Sequence, residues 1–328
     1  MKVKKRCVIL MAVLLVAFAT GGAFGAKENW PAQLRFPSGP PGGTWFALGG
    51  AIADMWTKSV IQVTSGSGGG VSNIVNAGRG EADLGLSTTS MLGAAAKGLD
   101  PFKEPVEGAA LFANIYRQYT YFIMRKDYAD KNGVKSVKDI VAKKLPVRFA
   151  TLKPGTSSEF AIRSIFEKGF GVKWDDIKSW GGSVSFASYS DGADLLADNH
   201  LDCFAFQVSR VASVIMDIES RVDVVLLPVD QEARDAMAEV YGTTTFNIEP
   251  GVYKSVTEPV PTVGDYTCIV VAKALPEDLV YELSKALWEH KDELGEAFVD
   301  MKELNPKEAI SEGVPVHPGA AKFWSELK

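Results

Sequence analysis

The sequence is poor in the residues that most catalytic centres need. Its 328 residues hold three cysteines and three histidines. His200, His290 and His317 stand singly, without metal-ligand spacing. His200 reads as a turn residue and His290 as a late helix residue near a negative helix end, so no histidine presents as a general base. No Gly-x-x-x-x-Gly-Lys-[Ser/Thr] run is present, which excludes a phosphate-binding P-loop. The glycines at 66, 68, 69 and 70 fail to complete Gly-x-Gly-x-x-Gly because position 71 is valine. There is no Gly-x-Ser-x-Gly elbow. Past residue 25, no apolar stretch approaches the ~18 residues of a membrane span. Basic charge is also short, with 35 Lys+Arg against 40 Asp+Glu and a net charge of −5, so there is no footprint for nucleic acid. The expectation is no catalytic residue, no metal and no cofactor.

The N-terminus is different in character. Lys2, Lys4, Lys5 and Arg6 precede an apolar run from Cys7 to Ala19, and Ala23-Phe24-Gly25 fits a small-x-small cleavage site. This pattern predicts a secretory signal peptide over 1–25, too short in its apolar part for a span. An uncleaved anchor helix is the alternative. Cleavage would leave 303 of 328 residues, more than the ~100–200 of a typical domain, so two lobes are expected. It would also remove four positive groups, taking the charge from −5 to −9. The expected location is the periplasm. Cys203 and Cys268 would remain; both sit in apolar strand-like segments and read as buried free thiols, with a disulfide as the alternative.

Along the rest of the chain, strand-like and helix-like segments alternate, which argues for α/β architecture with mixed sheets flanked by helices. The apolar strand Tyr119–Met124 leads to a polar stretch that predicts a first interlobe crossing, and Pro228 predicts a second. One lobe would then comprise 26–123 and 229–328, with 124–228 inserted as the other. Two crossings permit hinge bending. A single large sheet is the alternative.

Four of the alternating units share a strand, a Gly/Ser/Thr loop and then a helix. They lie at Gly42-Gly43-Thr44, Ser67-Gly68-Gly69-Gly70, Ser87-Thr88-Thr89 and Gly155-Thr156-Ser157-Ser158. A helix N-terminus carries unpaired N–H groups and partial positive charge. Glycine allows close approach and hydroxyls add donors. Such loops gather at the carboxyl ends of the strands in open α/β sheets, where ligands bind. Gathered at one cleft, they would hold one or two carboxylates. Each loop alone reads more readily as an ordinary cap or turn, and it is the four together that point to a site. Arg210, following Gln207 beyond the Cys203 strand, is a further candidate to hold a carboxylate. Trp45 or Phe46 could cover an apolar part of the solute.

These residues resemble the TAXI-type solute receptors of tripartite ATP-independent periplasmic (TRAP) transporters. The resemblance runs through Gly42-Gly43-Thr44-Trp45-Phe46, Val71-Ser72-Asn73-Ile74, Gly80-Glu81-Ala82-Asp83-Leu84-Gly85, Pro154-Gly155-Thr156-Ser157-Ser158, Pro250-Gly251-Val252-Tyr253 and His317-Pro318-Gly319-Ala320. It implies a type II periplasmic-binding-protein fold. It implies capture of a small organic acid or amino acid, glutamate-like or 2-oxoglutarate-like, and delivery to membrane TRAP permease subunits driven by an ion gradient. Carried over, ligand contacts fall at Gly43, Thr44, Trp45, Asn73, Thr88, Thr89 and Thr156 to Ser158; the loop residues Ser87 and Gln207 and the candidate Arg210 complete the expected site. The chain departs from the family pattern at Thr88-Thr89-Ser90, Gly155-Thr156-Ser157-Ser158 and Ser209-Arg210-Val211. Those departures suggest a changed ligand, with Arg210 holding an extra carboxylate. A sensory receptor reporting to a membrane kinase, and a secreted hydrolase using a loop serine, are the other readings.

Overall fold

The computed structural model describes residues 29–39, 41 and 43–328; the expected signal peptide lies outside the described residues. The first segment alternates regularly: β1 (Leu34–Pro37), α1 (Thr44–Ser59), β2 (Val63–Gly66), α2 (Gly70–Gly78), β3 (Leu84–Thr88) and α3 (Thr89–Ala96). The long strand β4 (Ala109–Arg125) leads to α4 (Lys126–Asn132), α5 (Val137–Ala142), β5 (Arg148–Thr151), α6 (Ser157–Ser164), α7 (Trp174–Ser179), β6 (Ser183–Phe186), α8 (Tyr189–Ala197) and β7 (Cys203–Val208). Then come α9 (Ser213–Arg221), β8 (Val224–Leu226), α10 (Gln231–Tyr241), β9 (Thr244–Ile248) and a second long strand, β10 (Val260–Ala272). The chain ends through α11 (Glu277–Glu289), α12 (Lys291–Ala297), a 3-10 turn (Val299–Glu303) and α13 (Pro318–Glu326).

Parallel and antiparallel pairing are divided between regions. β1 and β2 are parallel, as are β7–β5 and β5–β6, where strands are joined through helices. β3, β10 and β4 are antiparallel neighbours, and β4 continues past β10 to pair with β7 and β8. β4 and β10, which pair from Gly264–Tyr119 to Ala272–Ala109, join strands of both lobes into one eight-stranded sheet in the order β3-β10-β4-β7-β5-β6, with β8 on β4 and β9 on β10, while β1 and β2 form a separate pair.

One apolar cluster runs continuously from Met91 and Leu92 of the first lobe to Phe149 and Phe166 of the second, and each lobe adds a centre of its own. In the first, Trp56 packs between Phe36 and Phe112, with ring centroids 5.6 and 5.7 Å away, and its Nε1–H donates to the Leu283 carbonyl at 2.9 Å. In the second, Tyr121, Phe204, Phe206 and Tyr253 form an aromatic cluster. Burial of such side chains contributes about 1.5–3 kcal/mol each. Both remaining cysteines, Cys203 and Cys268, are buried free thiols.

Residues 229–259, expected in the first lobe, pack largely on the second. Val229 N–H donates to the Pro261 carbonyl at 2.9 Å, Ala212 N–H donates to the Tyr253 hydroxyl at 2.9 Å, and that hydroxyl donates to the Arg210 carbonyl at 3.0 Å. The polar break at Pro228 ends β8 without sending the chain back across. The return runs along β10, whose Val260–Gly264 end pairs with β9 and whose other end pairs with β3.

Candidate ligand-binding cleft

A cavity of about 450 Å³ opens where the two lobes face each other. That volume suits a small metabolite. The first lobe contributes Gly43–Trp45 and Gly68–Gly70, and the second contributes Gly155–Ser158 and Gln207–Ser209. Tyr116 and Gln118 of the connecting strand β4 complete it from below.

Three helices begin at this cavity. α1 starts at Gly43 and α2 at Gly69, both in extended backbone, and neither N-cap offers a side-chain acceptor. Their first N–H groups therefore lack a protein cap and carry the positive end of the helix dipole. Gly68 is required by space: a Cβ there would sit 2.3 Å from Asn73 Oδ1. On the other wall α6 starts after Gly155, whose φ of +89° favours glycine. Thr156 Oγ1 accepts from Glu159 N–H at 3.2 Å and so caps the helix, while Ser157 and Ser158 line the cavity.

Of the expected contacts, Gly43, Thr44, Trp45, Thr156, Ser157, Ser158 and Gln207 line the cavity, and five do not. Asn73 is fully buried behind it. Its Nδ2 donates to Ser38 O at 2.8 Å and Leu86 O at 2.7 Å, and its Oδ1 accepts from Gly69 N–H at 3.2 Å. Asn73 thus staples three loops together and holds the Gly-rich turn in place. Ser87 spends its hydroxyl on the Gly70 carbonyl at 3.0 Å.

Thr88 and Thr89 are buried behind the lining, where the protein supplies its own carboxyl group to that helix, one whose pKa burial pushes up. The Asp265 carboxylate of β10 accepts from Ser90 N–H at 3.1 Å and from the Ser90 hydroxyl, at the start of α3. Thr89 turns to Asn114 Oδ1 at 2.5 Å. Arg210 lies outside the lining, half exposed, with Nε 4.0 Å from Glu303 Oε1. Its nearest partner is a carboxylate of the protein.

Several lining residues were not anticipated. Gln118 Nε2 donates to Thr267 Oγ1 at 2.6 Å, and Trp45 Nε1 donates to the Tyr116 hydroxyl at 3.1 Å, tying α1 to β4. Tyr189 donates to the Gln207 carbonyl at 3.0 Å. Asp300, from the 3-10 turn, is the single charged side chain of the lining among the described residues. A β-strand pattern flags β4 but not which of its side chains face the cleft, and Asp300 belongs to no motif.

Burial pushes the Tyr116 phenol up to about 12, so it stays protonated as a neutral donor or acceptor. Burial also pushes the Asp300 carboxyl up, and the Ser209 hydroxyl and the Arg210 charge oppose that. The Ser158 hydroxyl donates to Gln207 O at 2.9 Å and accepts from Gln207 N–H at 3.1 Å, so it is engaged with backbone. No histidine lines the cavity; His317 is buried as the cap of α13 and His290 faces Glu293 on the surface. The walls thus offer backbone and hydroxyl groups, with the Asp300 carboxyl at one edge.

Comparison with known structures agrees with this architecture. MatC from Rhodopseudomonas palustris, solved with bound malate, matches with a TM-score of 0.51 at 14% identity, covering 91% of this chain and 97% of that one. PhnD1 from Prochlorococcus marinus, solved with methylphosphonate, matches with a TM-score of 0.52 at 14% identity, covering 90% of this chain and 98% of that one. The chain has the two-lobed α/β periplasmic-binding-protein fold, mixed sheet flanked by helices. It belongs to the NMT1-like family, whose model matches residues 36–327.

Proposed function

We propose, with that family membership as the premise, that the chain is an extracytoplasmic solute receptor of the TAXI type that captures a small carboxylate-bearing solute by hinge closure and delivers it to a TRAP permease. The observation that carries the reading is the convergence of uncapped helix N-termini from one lobe and the Gly155–Ser158 loop of the other on one 450 Å³ cavity. A ligand touching both walls stabilises the closed arrangement, whereas one touching a single wall does not shift the equilibrium. In this reading Gly43, Thr44, Trp45, Ser157 and Ser158 contact the solute, Gln207 shapes the wall, and bending occurs where β4 passes from β10 to β7.

The test is a thermal-shift screen of organic acids and amino acids on the purified protein, followed by calorimetry. A true ligand at roughly 1,000-fold excess over its dissociation constant stabilises the fold by about 4 kcal/mol. Small-angle scattering should show a smaller radius of gyration in its presence. Ligand binding without any compaction would remove the clamp from the mechanism.

A further inference from the structure

We propose that Asp300 makes the cleft selective for a small zwitterion, a solute carrying a protonated amine beside its carboxylate. The inference rests on the receptor reading and specifies its ligand. The walls at Gly43–Trp45, Gly68–Gly70 and Gly155–Ser158 present backbone and hydroxyl donors suited to a carboxylate. Asp300 adds the opposite chemistry: a half-buried carboxylate close enough to Tyr116 to act on its phenol.

The surrounding charges do not cancel it. Arg117 is bonded to Glu308 through its guanidinium and to Glu303 through its backbone N–H. Arg210 stands 4.0 Å from Glu303 and acts on both Glu303 and Asp300. Arg210 is thus shared between Glu303 and Asp300, and Arg117 is committed to Glu308 and Glu303, so no cation is dedicated to Asp300. Closing the lobes on a second ligand carboxylate here would bring like charges together as water leaves. A protonated amine instead gives Asp300 the counter-charge that a desolvated carboxylate requires.

The experiment uses matched trios that differ in one group: alanine, lactate and pyruvate; leucine, 2-hydroxyisocaproate and 2-oxoisocaproate; glutamate, 2-hydroxyglutarate and 2-oxoglutarate. Thermal shift and calorimetry at pH 7 are read for the full protein. The amino member of a binding trio is expected to bind at least tenfold tighter than its hydroxy and oxo partners. Asp300→Asn should weaken that member roughly 30-fold or more and change the other two by less than about threefold; Asp300→Glu should restore part of the preference. A hydroxy or oxo member that equals the amino member in the unmodified protein overturns the role of Asp300 and leaves the receptor reading standing, with no variant needed. Unchanged amino-member affinity in Asp300→Asn does the same. No response to any trio would count against the receptor reading for carboxylates and this inference together.

Discussion

The starts of α2 and α3 look alike in sequence and have opposite fates. Each follows a short strand through a run of small residues, Ser67 to Gly70 before one and Ser87 to Thr89 before the other. At α2 the N-cap is a glycine without a side-chain acceptor, and the turn opens onto the cleft. At α3 a carboxylate from β10, Asp265, fills the corresponding place through Ser90. Of two similar helix ends, one opens onto the cleft without a side-chain cap and one is satisfied by the fold itself. A local pattern identifies an anion-seeking helix end; whether the end is vacant depends on a residue 175 positions away.

The most severe way to erase that difference is to give α2 its own anion. Gly69 has extended backbone, and a Cβ there meets nothing nearer than Ser72 Oγ at 3.6 Å. Gly69→Asp should cap the helix, raise stability by a few tenths of a kcal/mol, and weaken the solute by 100-fold or more. Calorimetry and thermal melts together check both signs. A variant that binds normally would show that the α2 end is not the anion site.

The converse change empties α3. Asp265→Ala leaves Ser90 N–H and hydroxyl without their acceptor and should cost about 1–3 kcal/mol in urea unfolding, while solute affinity moves far less than in Gly69→Asp. Asn73→Ala sits between the two cases, since Asn73 shapes the open site without touching it. It should cost about 2 kcal/mol and also blunt affinity, because Gly69, Ser38 and Leu86 lose their common tie.

Smaller effects separate the rims from the floor. Arg210→Ala should alter affinity by less than about threefold, because the guanidinium faces Glu303 on an exposed edge. A larger loss would return Arg210 to the binding site. A third self-satisfied helix end, α13, predicts a pH effect. The buried His317 ring accepts from Gly319 N–H at 3.2 Å and lies 3.1 Å from the Leu275 carbonyl through Nε2. Burial holds its pKa below the ordinary 6.5, although the Leu275 carbonyl and Glu277 pull it back. The folded protein therefore binds this proton less readily than the unfolded chain. Its stabilising effect is complete above pH 6.5 and declines as the pH falls below that value. Urea midpoints from pH 8 to 5 should decline with a slope that His317→Gln reduces.

What could be read in advance follows the range of the interactions involved. The Gly43–Trp45 and Gly155–Ser158 contacts are local in origin, since glycine, a hydroxyl and the following apolar period occur together in a few residues. The α/β alternation was legible for the same reason. Thr88 and Thr89 lie behind the lining, beside an Asp265 that comes from a distant strand and leaves no local mark. Asp300 was invisible, as a 3-10 turn near the chain end has no period to mark it. The first half of β4, Ala109 to Gln118, mixes alanine with polar residues and carries no clean alternation, so the strand's full length and its bridging role emerge only from pairing with β10. The return crossing was placed at Pro228 because a proline ends a strand; nothing nearby records that the chain then lingers on the second lobe through Tyr253.

In the proposed clamp, the two bridging strands would set the mechanics of release. β4 and β10 are paired through Gly264–Tyr119, Asp265–Gln118 and Tyr266–Arg117, in the middle of the one sheet that both lobes share. A swing between lobes must therefore twist a paired ribbon as one body, like a torsion bar clamped at both ends, instead of swivelling on slack loops. Such a bar has a preferred angle and stores energy away from it without rupturing a bond. The solute's grip works against that restoring torque, so changes in ribbon stiffness should alter how long a captured molecule stays, even where no altered residue touches it.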